Sequence, residues 1–232
     1  MFSIIKTDLK NIFRDPSLLI ILFVPFVMMA LVRWGFPALL QVWPPAADYV
    51  MHGLAMFSIT IAIMPGIAIA FVMLDEKDNN LQIVLRITPV SLRRIVLYRM
   101  VSMYSLGFLM VMLLLTFSGI GAGTFVQHLL LSALVSLSAP LMSLLPAFLS
   151  SNKIEGAAMT KMLNFLIMLP IPAFLFPGTW SWLMMIFPAW WIYFAFIQVA
   201  SPPLFLLAIA GGITLHGLIL LAVWKFLVLK RV

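Results

Sequence analysis

The chain has 232 residues, 64% of them apolar and only 9% charged, with a mean hydropathy of +1.17. Soluble domains carry about 25% charged residues and avoid large exposed apolar patches, so this composition excludes a water-soluble globular protein. At about 20 apolar residues per crossing, the length holds about six or seven helical spans with short loops and no separate catalytic domain. The formal charge of +7 and pI near 10.1 would point to nucleic acid in a soluble protein. Here the positions of the charges describe orientation in a bilayer instead, and no nucleic-acid partner is expected. Cysteine is absent, which removes disulfides and thiolate metal sites.

Residues 1–15, MFSIIKTDLKNIFRD, place Phe2, Ile5, Leu9, Ile12 and Phe13 at helical spacing, with Lys6, Lys10, Asn11 and Arg14 between them. The pattern predicts a helix lying in the membrane interface, basic residues among headgroups; a basic tail before a signal anchor is the alternative. No small-residue cleavage site follows the apolar run, which ends in Val32-Arg33-Trp34, so a cleaved signal peptide is not expected. Asp15-Pro16 opens the first span, the aspartate as cap and the proline at the first helical position. Further spans are predicted at 51–74, 100–121, 127–149, 161–176 and 204–229. Pro25, Pro65, Pro140, Pro146, Pro170 and Pro172 fall inside or beside them, which lipid-embedded helices tolerate.

Residues 177–200 are apolar enough for a seventh span, and charge placement arbitrates. With six spans and the N-terminus inside, thirteen of the fourteen basic residues lie on the cytoplasmic side, Arg33 being the exception. A seventh span would send Lys230-Arg231 outside, against the positive-inside tendency. Residues 177–200 therefore read as short helices that dip into the outer leaflet and return. Trp180, Trp182, Trp190 and Trp191 suit that interfacial depth.

The segment between the second and third spans, MLDEKDNNLQIVLRITPVSLRRIVLYRM, holds three of the seven acids and five of the basic residues. Asn79 or Asn80 is placed to cap a short helix in which Leu81, Val84 and Leu85 share one side, while Gln82 and Arg86 project elsewhere. Thr88-Pro89 ends it, and Ser91 caps the next helix, whose first turns carry Arg93, Arg94 and Arg99. The product is a stiff amphipathic helix just below the membrane. It is either a connector resting on headgroups or a lever docking in a groove on a soluble partner.

The runs IFRDPSLLIILFVPFVMM and DEKDNNLQIVLRITPVSLRRIVLYR resemble the permease subunits of the type-2 ATP-binding-cassette exporter family. That family has an interfacial elbow helix before an Arg-Asp-Pro start, then an acidic turn, a coupling helix and a Thr-Pro or Ser-Pro stop. The match falls on Arg14-Asp15-Pro16, Pro25, Glu76, Asn80-Leu81, Leu85 and Thr88-Pro89; Asn79-Asn80 departs from the Asp/Glu-Gly of many relatives. SSNKIEGAAMTKMLNF resembles the family's second intracellular contact, and the outer hairpin at 177–200 is also a family feature.

The resemblance implies one transmembrane domain over 1–232, with an elbow at 1–15, a coupling loop at 75–95 and a second cytoplasmic loop at 150–161. It implies a half-transporter in the plasma (inner) membrane with both termini cytoplasmic. A second six-span permease subunit, identical or homologous, would complete the path, and two copies of an ATPase subunit would supply ATP and Mg chemistry. The chain itself has no G-x-x-x-x-G-K-[ST] phosphate cradle, so it is expected to bind no cofactor and to be no enzyme. Glu76, Asp78, Asn80, Leu81, Val84, Leu85, Arg86 and Glu155 are the expected coupling residues, and the cargo is expected to be a hydrophobic or amphipathic drug, lipid or small peptide.

Few polar groups fall at membrane depth. Arg33 lines the path near its outer end or snorkels to headgroups. Asn164 faces cargo or bonds a neighbouring helix. His216 is a cargo or proton contact, or a structural residue bonded between helices. His52 and His128 are expected near water at the outer face, and no histidine pair has metal-ligand spacing. An intramembrane enzyme would need a nucleophile and base, yet there is no GxSxG and no HExxH. An ion-coupled carrier or channel would need midplane acids, and all seven acids fall in loops or at span ends.

Overall fold

The computed structural model describes residues 8, 10–81, 91–120, 123–176 and 178–229, and every regular element among them is helical. Six helices are long and apolar enough to cross a membrane: Pro16–Val42, Pro44–Asp78, Leu92–Phe117, Phe125–Leu149, Lys153–Leu175 and Pro202–Val228. The chain is an all-helical, multi-pass membrane protein with six candidate spans, the number that charge placement favours over seven. The second and fourth spans are buried at the centre, and the other four surround them.

In lipid, helices gain little by hiding apolar surface from one another, so close packing depends on small residues. Gly66 of the second span lies directly against the backbone carbonyl of Ala139 in the fourth, where any side chain would collide. Gly107 of the third span approaches the Ala62 carbonyl less closely, so that a Cβ there would stand 3.0 Å from the oxygen, tight but not an outright collision. The outer spans turn Phe23, Phe26, Leu113, Phe165 and Leu221 outward, a surface fit for acyl chains.

Several boundaries differ from the predicted ones. The first span does not stop at Val32 but continues through a π turn at Leu31–Gly35 into Phe36–Val42. Pro37 has no N–H to return to the Arg33 carbonyl, and the helix widens just before it. The third span starts at Leu92, directly after Ser91, and ends at Phe117. The fourth opens on a reciprocal cap between Thr124 and Gln127 and breaks at Leu137, three residues before Pro140. The fifth starts at Lys153, eight residues early, because Asn152 Oδ1 accepts the Glu155 N–H at 2.9 Å. Residues 153–160, read as loop, are therefore helix.

Asn79 closes the second-span helix rather than opening the next: its amide donates to the Asp75 carbonyl at 2.9 Å. Asn80 follows at φ +56°, a left-handed conformation that glycine takes freely and asparagine more readily than most side-chain-bearing residues. Leu81 is the last described residue there. The predicted coupling helix, with Val84, Leu85 and Arg86, lies outside the described residues, as do the first seven residues of the elbow and Leu9.

Between the fifth and sixth spans stand a 3-10 helix at Thr179–Ile186 and a helix at Pro188–Ile197. The ten residues of the latter reach about 15 Å, half a membrane, too short to cross it alone. Trp190 is buried rather than facing headgroups, stacked on Phe174 and Phe194. Gln127 Nε2 donates to the Val199 carbonyl at 2.8 Å, tying this segment to the start of the fourth span.

Candidate functional site at the charged end

Six of the seven acids gather at one end of the bundle, where the second span ends in Asp75-Glu76-Lys77-Asp78. Successive helical residues point about 100° apart, so Glu76, Lys77 and the Asp75–Asp78 pair turn toward three different neighbours. Glu76 turns toward the third span and binds Arg99, its Oε2 accepting from Nη1 at 2.8 Å. Arg99 also grips Asp8 with two parallel bonds, Nε to Oδ2 at 2.9 Å and Nη2 to Oδ1 at 2.6 Å. Arg99 is 4% exposed, and a flat guanidinium with five donors is the group that satisfies two carboxylates at once.

Lys77 reaches across to the Ser150 carbonyl. Asp75 and Asp78, three apart and so on one face, both meet Lys153. Asp75 lies 3.7 Å from its ammonium, and Asp78 Oδ2 accepts its backbone N–H at 3.0 Å. The same ammonium donates to Asp15 Oδ2 at 3.2 Å. Asp15 also caps the first span by accepting the Ser17 N–H at 2.9 Å. Burial works against the Asp15 carboxylate, but the bonds from Lys153 and Ser17 outweigh it and hold its pKa below the ordinary 3.8. Glu155 accepts the Ser151 N–H and stiffens the turn. Around these groups lies a polar cleft of about 280 Å³ with Asn11, Arg14 and Leu81 on its wall.

The predicted coupling residues thus divide. Glu76 is engaged inside the protein. Asp78 and Glu155 are exposed but bonded to the turn at 150–153, and Asn80 and Leu81 stand exposed. Asp8, Arg99 and Lys153, which hold the arrangement together, were not among the predicted site residues. The signal for Arg99 was present: a helix starting after Ser91 puts it about 10 Å inside, where a charge needs a partner.

No hydrogen bond among the described residues joins the three path residues to one another. Arg33 is exposed, with no carboxylate within ion-pair distance among the described residues. Asn164 is half-buried midway along the fifth span, and no described residue hydrogen-bonds its side chain. His216 is 1% exposed; its Nδ1–H donates to the Gly212 carbonyl at 2.8 Å, leaving Nε2 to accept from the Ser138 hydroxyl at 3.3 Å. His52 and His128 are half-buried, and one nitrogen of each, His52 Nδ1 and His128 Nε2, is shielded without a partner among the described residues.

A family model described as fluoroquinolones export permease protein Rv2686c-like matches residues 8–224. The chain belongs to this family. Two curated relatives from Mycobacterium tuberculosis, the fluoroquinolones export permease proteins MT2760 and Rv2686c, are each 28% identical over 199 residues, covering 82% of this chain and 79% of theirs. No solved structure matches. The chain is a permease subunit of an exporter, in keeping with its resemblance to the membrane subunits of ATP-binding-cassette exporters. Its matched region takes in Asp8, Glu76, Arg99 and Lys153, so the whole charged end lies within the family's extent.

Proposed function

We propose that this permease is the membrane half of an ATP-driven exporter whose charged end faces the cytoplasm and seats an ATPase subunit. The observation that supports this reading most is the ionic tie at that end: through Arg99 and Lys153, the end of the second span is bound to Asp8, to the third span, to the first-span cap and to the 150–155 turn. A push delivered at Leu81 or beyond would then move several spans together. Glu76 and Arg99 keep the lever rigid, Leu81, Val84, Leu85 and Arg86 meet the ATPase, and Asp78 with Glu155 holds the second contact beside it. ATP and Mg belong to the ATPase.

The cargo, on this reading, is an amphipathic compound of the kind the relatives' names specify, and a second six-span subunit completes the path. The protein sits in the plasma (inner) membrane with both termini inside, and residues 177–200 turn back within the outer leaflet.

The test is purification of the tagged chain in mild detergent, with mass spectrometry of what accompanies it. A near-stoichiometric partner carrying a phosphate-binding loop is expected, and L81D should release it. A chain that emerges alone, under conditions that keep known complexes intact, would overturn the coupling reading.

A further inference from the structure

We propose that Arg33 is the anion-binding centre of an amphiphile site at the end of the bundle opposite the acid cluster, taking a carboxylate or phosphate headgroup whose apolar body lies between the first and third spans. A cleft of about 590 Å³ opens between these spans, with Phe26, Trp34, Leu113 and Phe117 on its walls. Three features place a cation in it. The π turn at Leu31–Gly35 inserts an extra residue into the helical register and swings Arg33 toward the third span. Gly119, at φ +70°, closes the turn after the third span, and any side chain there would collide with Arg33 Nη1. The guanidinium therefore rests against bare backbone. Finally, six of the seven acids lie at the other end, and Asp48, the seventh, is not within ion-pair distance.

Depth agrees with this chemistry. Arg33 stands seventeen residues after Pro16, about 26 Å along the helix, close to the far boundary of a hydrocarbon core about 30 Å thick. A headgroup at that level would meet the guanidinium while its chain or ring lies among Phe26, Leu113 and Phe117. Arginine is always charged and binds carboxylate or phosphate with two parallel donors. An unpaired cation at this end also opposes the basic bias of the rest of the chain.

The proposal needs neither nucleotide nor a partner subunit, so its failure would leave the exporter reading standing. The full-length chain in phosphatidylcholine nanodiscs is titrated with dansylundecanoic acid and with its methyl ester, empty discs giving the partition background. The acid should bind about tenfold tighter than the ester. R33Q should abolish that preference, R33K should keep much of it, and G119A should weaken it by displacing the guanidinium. R33Q removes an exposed, unpaired side chain, so its fold should survive; unchanged far-ultraviolet circular dichroism checks this. Adding phosphatidylglycerol separates the two sources. Displacement of the probe identifies membrane lipid as the ligand, and persistence identifies a free amphiphile. Equal binding of acid and ester by the wild type, or an R33Q preference equal to wild type, would overturn the proposal.

Discussion

Arg99 carries two carboxylates on one guanidinium, and the three groups respond unequally to substitution. Removing the cation leaves Asp8 and Glu76 facing each other in a buried site, which costs about 3–5 kcal/mol. R99M should therefore lower the thermal midpoint of the purified permease sharply. E76Q keeps an acceptor for Nη1 and leaves the Arg99–Asp8 pair intact, so its loss should be a fraction of that. Similar midpoints for the two variants would show that the charges are not buried as a unit. Asp15 gives a pH-dependent counterpart. Its folded pKa lies below 3.8, so its contribution is complete above the unfolded value and is lost as pH falls through the folded one. D15N retains an N-cap but not the charge. The stability gap between wild type and D15N should stay constant from neutral pH to about pH 5 and close below about pH 4. A gap that closes between pH 5 and 7 would assign the effect to another group. Arg99 was readable in part from the sequence, since the Ser91 start puts it inside a helix. Asp8, 91 residues away, was not, because nothing local marks which acid the fold will bring to it.

Helices were legible wherever composition decides and illegible where one residue of register decides. Six or seven spans follow from runs of about 20 apolar residues, and the charges placed near the span ends decide for six and add the orientation reading. The π turn at Leu31–Gly35 left no trace in hydropathy, because one extra residue in a run broken only by Arg33 changes no pattern; Pro37 was the sole cue. The early start of the fifth span had a cue in Asn152 with Glu155 three residues on, a cap signature outweighed by reading Lys161 as the boundary. Glycines at the same level of sequence meet different fates. Gly66 lies on the Ala139 carbonyl, while Gly217 has open space around its Cα. G66A must push the second and fourth spans apart and should cost about 1–3 kcal/mol. G217A meets nothing and, by helix propensity, should be neutral or stabilise by up to about 1 kcal/mol. Denaturation of the two variants in detergent checks the pair; equal effects would mean the central crossing is looser than described.

Seen whole, the second and fourth spans are covered, the first is largely bare, and so is the fifth. Its uncovered side carries Ile154, Phe165 and Met168, all compatible with lipid. Asn164 is not. An amide without a partner in hydrocarbon costs several kcal/mol, and no described residue satisfies it. The economical solution is a second copy, in which two Asn164 side chains bond across a shared axis, as polar residues do between membrane helices. The chain has no cysteine, so N164C would be its one thiol. A disulfide needs Cα atoms about 4.4–6.8 Å apart, which makes cross-linking a short ruler. Mild oxidation of native membranes should convert N164C to a covalent dimer, F165C less completely, and buried T160C not at all. A strictly monomeric N164C and F165C would overturn this pairing through the fifth span.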